Sequence, residues 1–232
     1  METISALDDI PVVDLSNPNE DLVARAVVKA SEEWGIFHVV NHWIPPELIG
    51  QLKEVGTEFF QLPESEKKAL ASEAKRLQEH GREVNEEYAK EIKKLSEKIL
   101  GWLSEGLGLR REALKEGIGG ETVEYLMKVV FYRPCQDQDV KYELRVILIS
   151  VGSLFHKVKR IRMNNRKYER AERATLDKEK TRISWPVFVD PNLDHVVRPL
   201  PELISGDDNA PKFKPYTYRD YKFHIWNRLP LD

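Results

Sequence analysis

The chain has 232 residues, 41% hydrophobic and 32% charged, with 36 Lys and Arg against 39 Asp and Glu. That length supports one domain with its own core, and a formal net charge of −3 lacks the basic surplus that would make nucleic acid a default partner. No apolar run reaches the roughly 18 to 20 residues that span a bilayer, Met1-Glu2-Thr3-Ile4 lacks the basic start of a secretory signal, and the lone Cys135 excludes an internal disulfide. The expectation is a cytoplasmic protein with no membrane or nucleic-acid partner.

Pro11 to Leu15 is a short apolar run closed by the turn-forming Ser16-Asn17-Pro18-Asn19, and predicts a strand. Leu22, Val23, Ala26, Val27 and Ala30 then recur at helical spacing as far as Trp34, with Gly35 where a helix commonly stops. Ile36 to Val40, β-branched and aromatic, reads as a second strand. Pro45-Pro46 opens a helix whose apolar stripe is Leu48, Ile49, Leu52, Val55, Phe59 and Phe60. Ser65 to Glu91 is rich in Lys, Glu and Ala and fits either a solvated helix or a poorly packed stretch. From Tyr88 through Ile92, Leu95, Ile99, Leu100 and Leu103 the helical stripe returns, ending at Gly106-Leu107-Gly108. A short helix over Arg110 to Glu116 precedes a break at Gly117, Gly119 and Gly120.

Beyond that break the period changes. Val123 to Tyr132, Leu144 to Val151 and Ile183 to Val189 are predicted strands, with a shorter one at Val196-Val197. Helices followed by strands place the chain in the α+β class. The basic run Lys157-Val158-Lys159-Arg160-Ile161-Arg162 reads as a solvated face or loop.

Chemistry is sparse. The histidines are His38, His42, His80, His156, His195 and His224; none begins a His-x-Asp or His-x-Glu pair. There is no phosphate-binding glycine loop and no Gly-x-Ser-x-Gly elbow. One segment stands apart: in a strand over Thr181 to Val189, Arg182 and Ser184 share a face. A guanidinium beside a hydroxyl can clamp a carboxylate; an edge arginine in solvent is the bland alternative.

The stretch from Asp177 to Pro191 closely resembles the C-terminal segment of plant flavonol synthases, members of the iron(II)/2-oxoglutarate-dependent dioxygenases. The likeness extends to Ile10-Pro11-Val12-Val13-Asp14-Leu15-Ser16, Ser31 to Phe37, Val39-Val40-Asn41-His42, Arg82 to Tyr88, Leu103 to Leu109, Pro199 to Leu203, Gly206-Asp207-Asp208 and Lys212 to Pro215. The resemblance implies a helical N-terminal lobe, residues 1–120, followed by a double-stranded β-helix (jelly roll) over 121–232. It implies a chemistry in which two histidines and a carboxylate hold Fe(II), with 2-oxoglutarate and ascorbate as the other participants. By the same resemblance Arg182 and Ser184 match the grip on 2-oxoglutarate, and Tyr132, in Phe131-Tyr132-Arg133-Pro134-Cys135, matches a tyrosine that also contacts it.

The departures from the family are large. The His-x-Asp pair is absent, because after Cys135-Gln136-Asp137-Gln138-Asp139 the chain passes directly to Val140-Lys141-Tyr142. Glu172 occupies the position of the distal histidine, and Val130 replaces an asparagine. Segments before Ile10 and between Ala71 and Arg82 are shortened, and His156 to Ile161 has the character of foreign sequence. The expectation is an incomplete jelly roll in an inactive relative, a relic 2-oxoglutarate site at Arg182, Ser184 and Tyr132, and no productively bound cofactor. Two alternatives stand beside it. One is a non-catalytic partner or regulator of an intact flavonoid-pathway enzyme. The other is an active flavonol synthase converting dihydroflavonols to flavonols.

Overall fold

The computed structural model describes residues 10–67, 81–133, 181–204, 211, 214–227 and 229. The predicted strands over 144–151, the basic run, Cys135 and Glu172 lie outside these residues.

Two short parallel strands begin the fold: β1, Val12–Asp14, and β2, His38–Val40, paired Val13 to Val39. Between them runs α1, Glu20–Glu33, whose first turn is capped by the Asn19 side chain accepting from the Asp21 and Leu22 amides. Its buried face is Val23, Val27 and Ala30, while Leu22 from the predicted stripe is left largely exposed. α2, Pro46–Gln61, starts on the expected proline, which needs no amide partner in the first turn. α3, Arg82–Gly106, continues the returning stripe back through the Lys- and Glu-rich segment as far as Gly81 (φ 71°). At 25 residues it is about 37 Å long, and it buries Tyr88, Ile92, Leu95, Ile99, Leu100, Trp102 and Leu103.

The short helix α4, Ala113–Gly117, begins three residues later than the spacing predicted. Its start is set from outside its own sequence: the buried Ser104 hydroxyl of α3 accepts from the Leu114 amide at 3.1 Å and donates to the Leu100 carbonyl at 2.9 Å. Local sequence carries no trace of a cap supplied from another helix.

The C-terminal half departs from expectation in its strand count. Val123 to Tyr132 is broken into β3, Glu124–Met127, and β4, Val130–Tyr132, and Ile183 to Val189 into β5, Arg182–Ser184, and β6, Val187–Asp190. β3 pairs with β6 and β4 with β5, all antiparallel. The two pairings stay in step, with Lys128 opposite Pro186 and Val129 opposite Trp185. The Lys128 amide still donates to the Pro186 carbonyl at 2.9 Å, but Pro186 has no amide to return the bond. The two pairs are therefore one ribbon with a single missing rung.

The ribbon's faces are well separated. Its odd-numbered residues, the exposed Val129 excepted, meet the helices: Phe131 stacks on Phe60 of α2 with centroids 4.7 Å apart, Trp185 lies against Gly56, and Val187 and Val189 are buried in the core with α1 and α3 residues. Its even-numbered residues point the other way.

After β7, Val196–Val197, the chain returns as β8, Tyr216–Thr217, antiparallel to it, and runs into α5, Tyr218–Trp226. This last helix was absent from the sequence expectation. Tyr218 and Tyr221 are fully buried with near-parallel rings 6.0 Å apart, and Lys222 reaches the buried Asp190 of β6 at 3.1 Å. The architecture is a helical N-terminal lobe followed by antiparallel sheets of the jelly-roll kind that do not close among the described residues. Among those residues no helix is long and apolar enough to cross a membrane.

Candidate functional site

The even face of the ribbon gathers the residues that the sequence singled out. β4 and β5 place Tyr132 directly opposite Arg182 and Val130 opposite Ser184, so all four side chains share one face. The Arg182 guanidinium carbon lies 4.9 Å from the Tyr132 ring centroid, a cation–π contact that fixes the plane of the group. Nη1 of Arg182 is buried and has no hydrogen-bond partner among the described residues. A buried, charged N–H left without an acceptor is costly; an incoming carboxylate beside the Ser184 hydroxyl would supply one.

Further along the same face, Lys128 places its ammonium 5.0 Å from the centroid of Phe188, which pairs with Leu126. The sequence reading passed over Lys128 and Phe188, although their even spacing from Tyr132 and Arg182 puts them on that face. The contact itself crosses two strands more than fifty residues apart and has no local signature.

The arrangement is anchored from behind. A Cβ built on Gly56 would come within 2.7 Å of Trp185 Cζ2, so only glycine lets α2 sit this close to the ribbon. Trp185 follows Ser184 directly and faces the opposite way, and the contact thereby fixes the height of Arg182 and Ser184 above the helices.

The histidines do not converge on this face. His38 belongs to β2, and His42 follows it in the turn before α2, with Nδ1 buried and without a partner. Burial pushes the His42 imidazole below its ordinary value. His195 Nε2 lies 2.9 Å from the Gly117 carbonyl oxygen, and the His224 ring packs beside Tyr216 and Phe223. His80, His156 and Glu172 lie outside the described residues. Among the described residues there is no group of three His, Cys, Asp or Glu side chains that could hold a metal ion. Iron(II) in a two-histidine, one-carboxylate site needs such a convergent set, and the donors among the described residues do not fit it.

Residues 10–117 match the family described as the non-haem dioxygenase in morphine synthesis N-terminal. Flavonol synthase 3 of Arabidopsis thaliana is 48% identical over 306 residues, covering 99% of this chain and 97% of the relative. Flavonol synthase/flavanone 3-hydroxylase of the same plant is 41% identical over 300 residues, covering 96% and 88%. Among solved structures, one described as JOX2 in complex with 2OG, Fe and JA shares the fold with a TM-score of 0.74 at 24% identity, covering 93% of this chain and 84% of its own. An alignment of 306 positions against a chain of 232 residues leaves more than seventy positions of flavonol synthase 3 opposite a gap. Near-full coverage at this identity, on a fold of the same kind, settles the kinship: the chain belongs to the plant flavonol synthase/flavanone 3-hydroxylase family of iron- and 2-oxoglutarate-dependent dioxygenases.

Proposed function

We propose that this chain is a non-catalytic member of its family: a flavonol synthase-like protein of flavonoid biosynthesis that has lost its iron ligands and keeps part of its 2-oxoglutarate clamp. One observation carries the reading. Nowhere in the 232 residues is a histidine followed two positions later by Asp or Glu, so the paired ligands that one strand presents in the family have no counterpart. Glu172, at the distal histidine's position, is a lone carboxylate, and a single carboxylate competes weakly with water for Fe(II).

Arg182, Ser184 and Tyr132 are the relic co-substrate site. Arg182 supplies a fixed charge with an unused donor and Ser184 a second donor, while Tyr132 holds the guanidinium plane; together they suit a carboxylate and supply no route to activating oxygen. The division near residue 120 separates the helical lobe from the truncated jelly roll that carries this clamp.

Anaerobic Fe(II) titration followed by an assay for succinate tests the reading. The expected result is no saturable iron binding and no succinate from 2-oxoglutarate, with or without a dihydroflavonol. Succinate release that disappears in Glu172→Ala would overturn it. Co-purification with an intact flavonoid-pathway enzyme would instead support the role of a partner or regulator.

A further inference from the structure

The clamp does not stand alone on its face. Lys128 lies on the same side of the ribbon, four positions before Tyr132, the partner of Arg182, a backbone separation of about 13 Å. Both cations are held over aromatic rings, Arg182 on Tyr132 and Lys128 on Phe188. The surface between and beside them is apolar, formed by Val130, Pro186, Phe188 and Leu126, and Leu126 is 48% exposed although its opposite-face neighbour Met127 packs on the core.

We propose that this strip is a binding site for a linear amphipathic dianion: an aliphatic chain with an acid group at each end, long enough to reach from Arg182 and Ser184 to Lys128. The proposal rests on the reading of Arg182 and Ser184 as a carboxylate clamp and extends it to a ligand longer than 2-oxoglutarate. One acid group takes the free Nη1 of Arg182, the methylene chain lies along Val130 and Phe188, and the second acid group meets the exposed Lys128 ammonium. A short diacid cannot reach both cations, and a monoacid of the right length leaves Lys128 unused.

Isothermal titration of the full chain with dodecanedioate, dodecanoate and 2-oxoglutarate tests this. The extended diacid holds its carboxyl carbons about 14 Å apart. It should bind about three-fold or more tighter than the monoacid, the gain expected of one exposed ion pair. Lys128→Gln should abolish that gain and leave 2-oxoglutarate affinity unchanged, and Lys128→Arg should keep the gain. Arg182→Gln should weaken all three ligands by about ten-fold, the effect of losing a charged hydrogen-bond donor. If 2-oxoglutarate binds but the diacid has no advantage over the monoacid, or if the advantage survives Lys128→Gln, the long-ligand site is wrong and the clamp stands. If none of the three ligands binds, both fall.

Discussion

Glu20 opens α1 and gathers side chains from α3 and from the turn that follows it. Its carboxylate accepts from Arg111 Nη2 at 2.8 Å and from the Trp102 indole at 3.0 Å, and Lys98 stands 3.9 Å away. The Arg111 hydrogen bond first and the Trp102 bond second hold it below the ordinary carboxylate range. The Arg111 pair is exposed and contributes little, but Trp102 is buried, and without Glu20 its N–H has no acceptor. Glu20→Ala should therefore cost about 1 to 2 kcal/mol, read from the shift in urea midpoint. Trp43 presents a closer balance. Its φ of 62° is a left-handed conformation costing a bulky residue about 1 kcal/mol, while Lys98 sits 4.3 Å from its ring, an exposed cation–π contact of about 0.5 to 1 kcal/mol. Trp43→Asn should be nearly neutral in the native chain and stabilising in a Lys98→Ala background. His42 links the same turn to pH. Its folded value is depressed, so the unfolded chain binds the proton more readily. Its contribution is complete above about pH 6.5 and is lost as pH falls through the folded value. His42→Gln should flatten that part of a Tm–pH curve.

At the scale of elements, the apolar stripes of α1, α2 and α3 were plain in the sequence because a helix needs one face in the core and the spacing records it. The ribbon was legible as strands but not as a ribbon with a missing rung. Proline marks an interruption, yet only the pairing register shows that the two halves stay in step. α5 was illegible for a different reason. Its sequence, Tyr218 to Trp226, is aromatic and mixed, and two fully buried tyrosines three positions apart hold it rather than a long stripe. The other attachment is the Asp190–Lys222 bridge. Burial, and then the facing Asp190 carboxylate, hold the Tyr218 hydroxyl protonated far above its ordinary value. Asp190→Ala would strip a half-buried Lys222 of its partner and should cost about 2 to 3 kcal/mol, somewhat less than a fully buried pair. Increased hydrogen exchange confined to α5 would locate the damage. At the other end of the ribbon, Gly56→Val forces Trp185 away from α2. A loss of about 1 to 3 kcal/mol from overpacking is expected, with weakened 2-oxoglutarate binding as the clamp shifts.

At the scale of the whole molecule, one core runs through both lobes. Val13 and Val39 of the parallel pair, the α1 and α3 stripes, Val187 and Val189 of the ribbon and the α5 tyrosines belong to a single cluster. The helices and half of the ribbon therefore share their stability, while the sheets remain unclosed among the described residues. Unclosed sheets leave apolar surface such as Leu126 in solvent. A broad calorimetric transition and limited solubility are expected; a sharp, reversible two-state melt would contradict this. The candidate site was legible in part. Strand spacing put Arg182 and Ser184 on one face, and only the family resemblance marked them as a clamp; their setting over Tyr132, with Lys128 further along, depends on pairing across a long excursion of chain that no local pattern encodes.

The parity of the ribbon has an evolutionary corollary. Positions such as Tyr125, Val187 and Val189 are tied to the helices, whereas on the proposed loss of iron chemistry Leu126, Val130 and Ser184 carry no catalytic duty. Selection for folding alone would preserve every second residue and let the intervening ones drift, the buried Asp190 and the exposed Val129 excepted. A saturation-mutagenesis screen for soluble expression would then show tolerance alternating residue by residue along both strands.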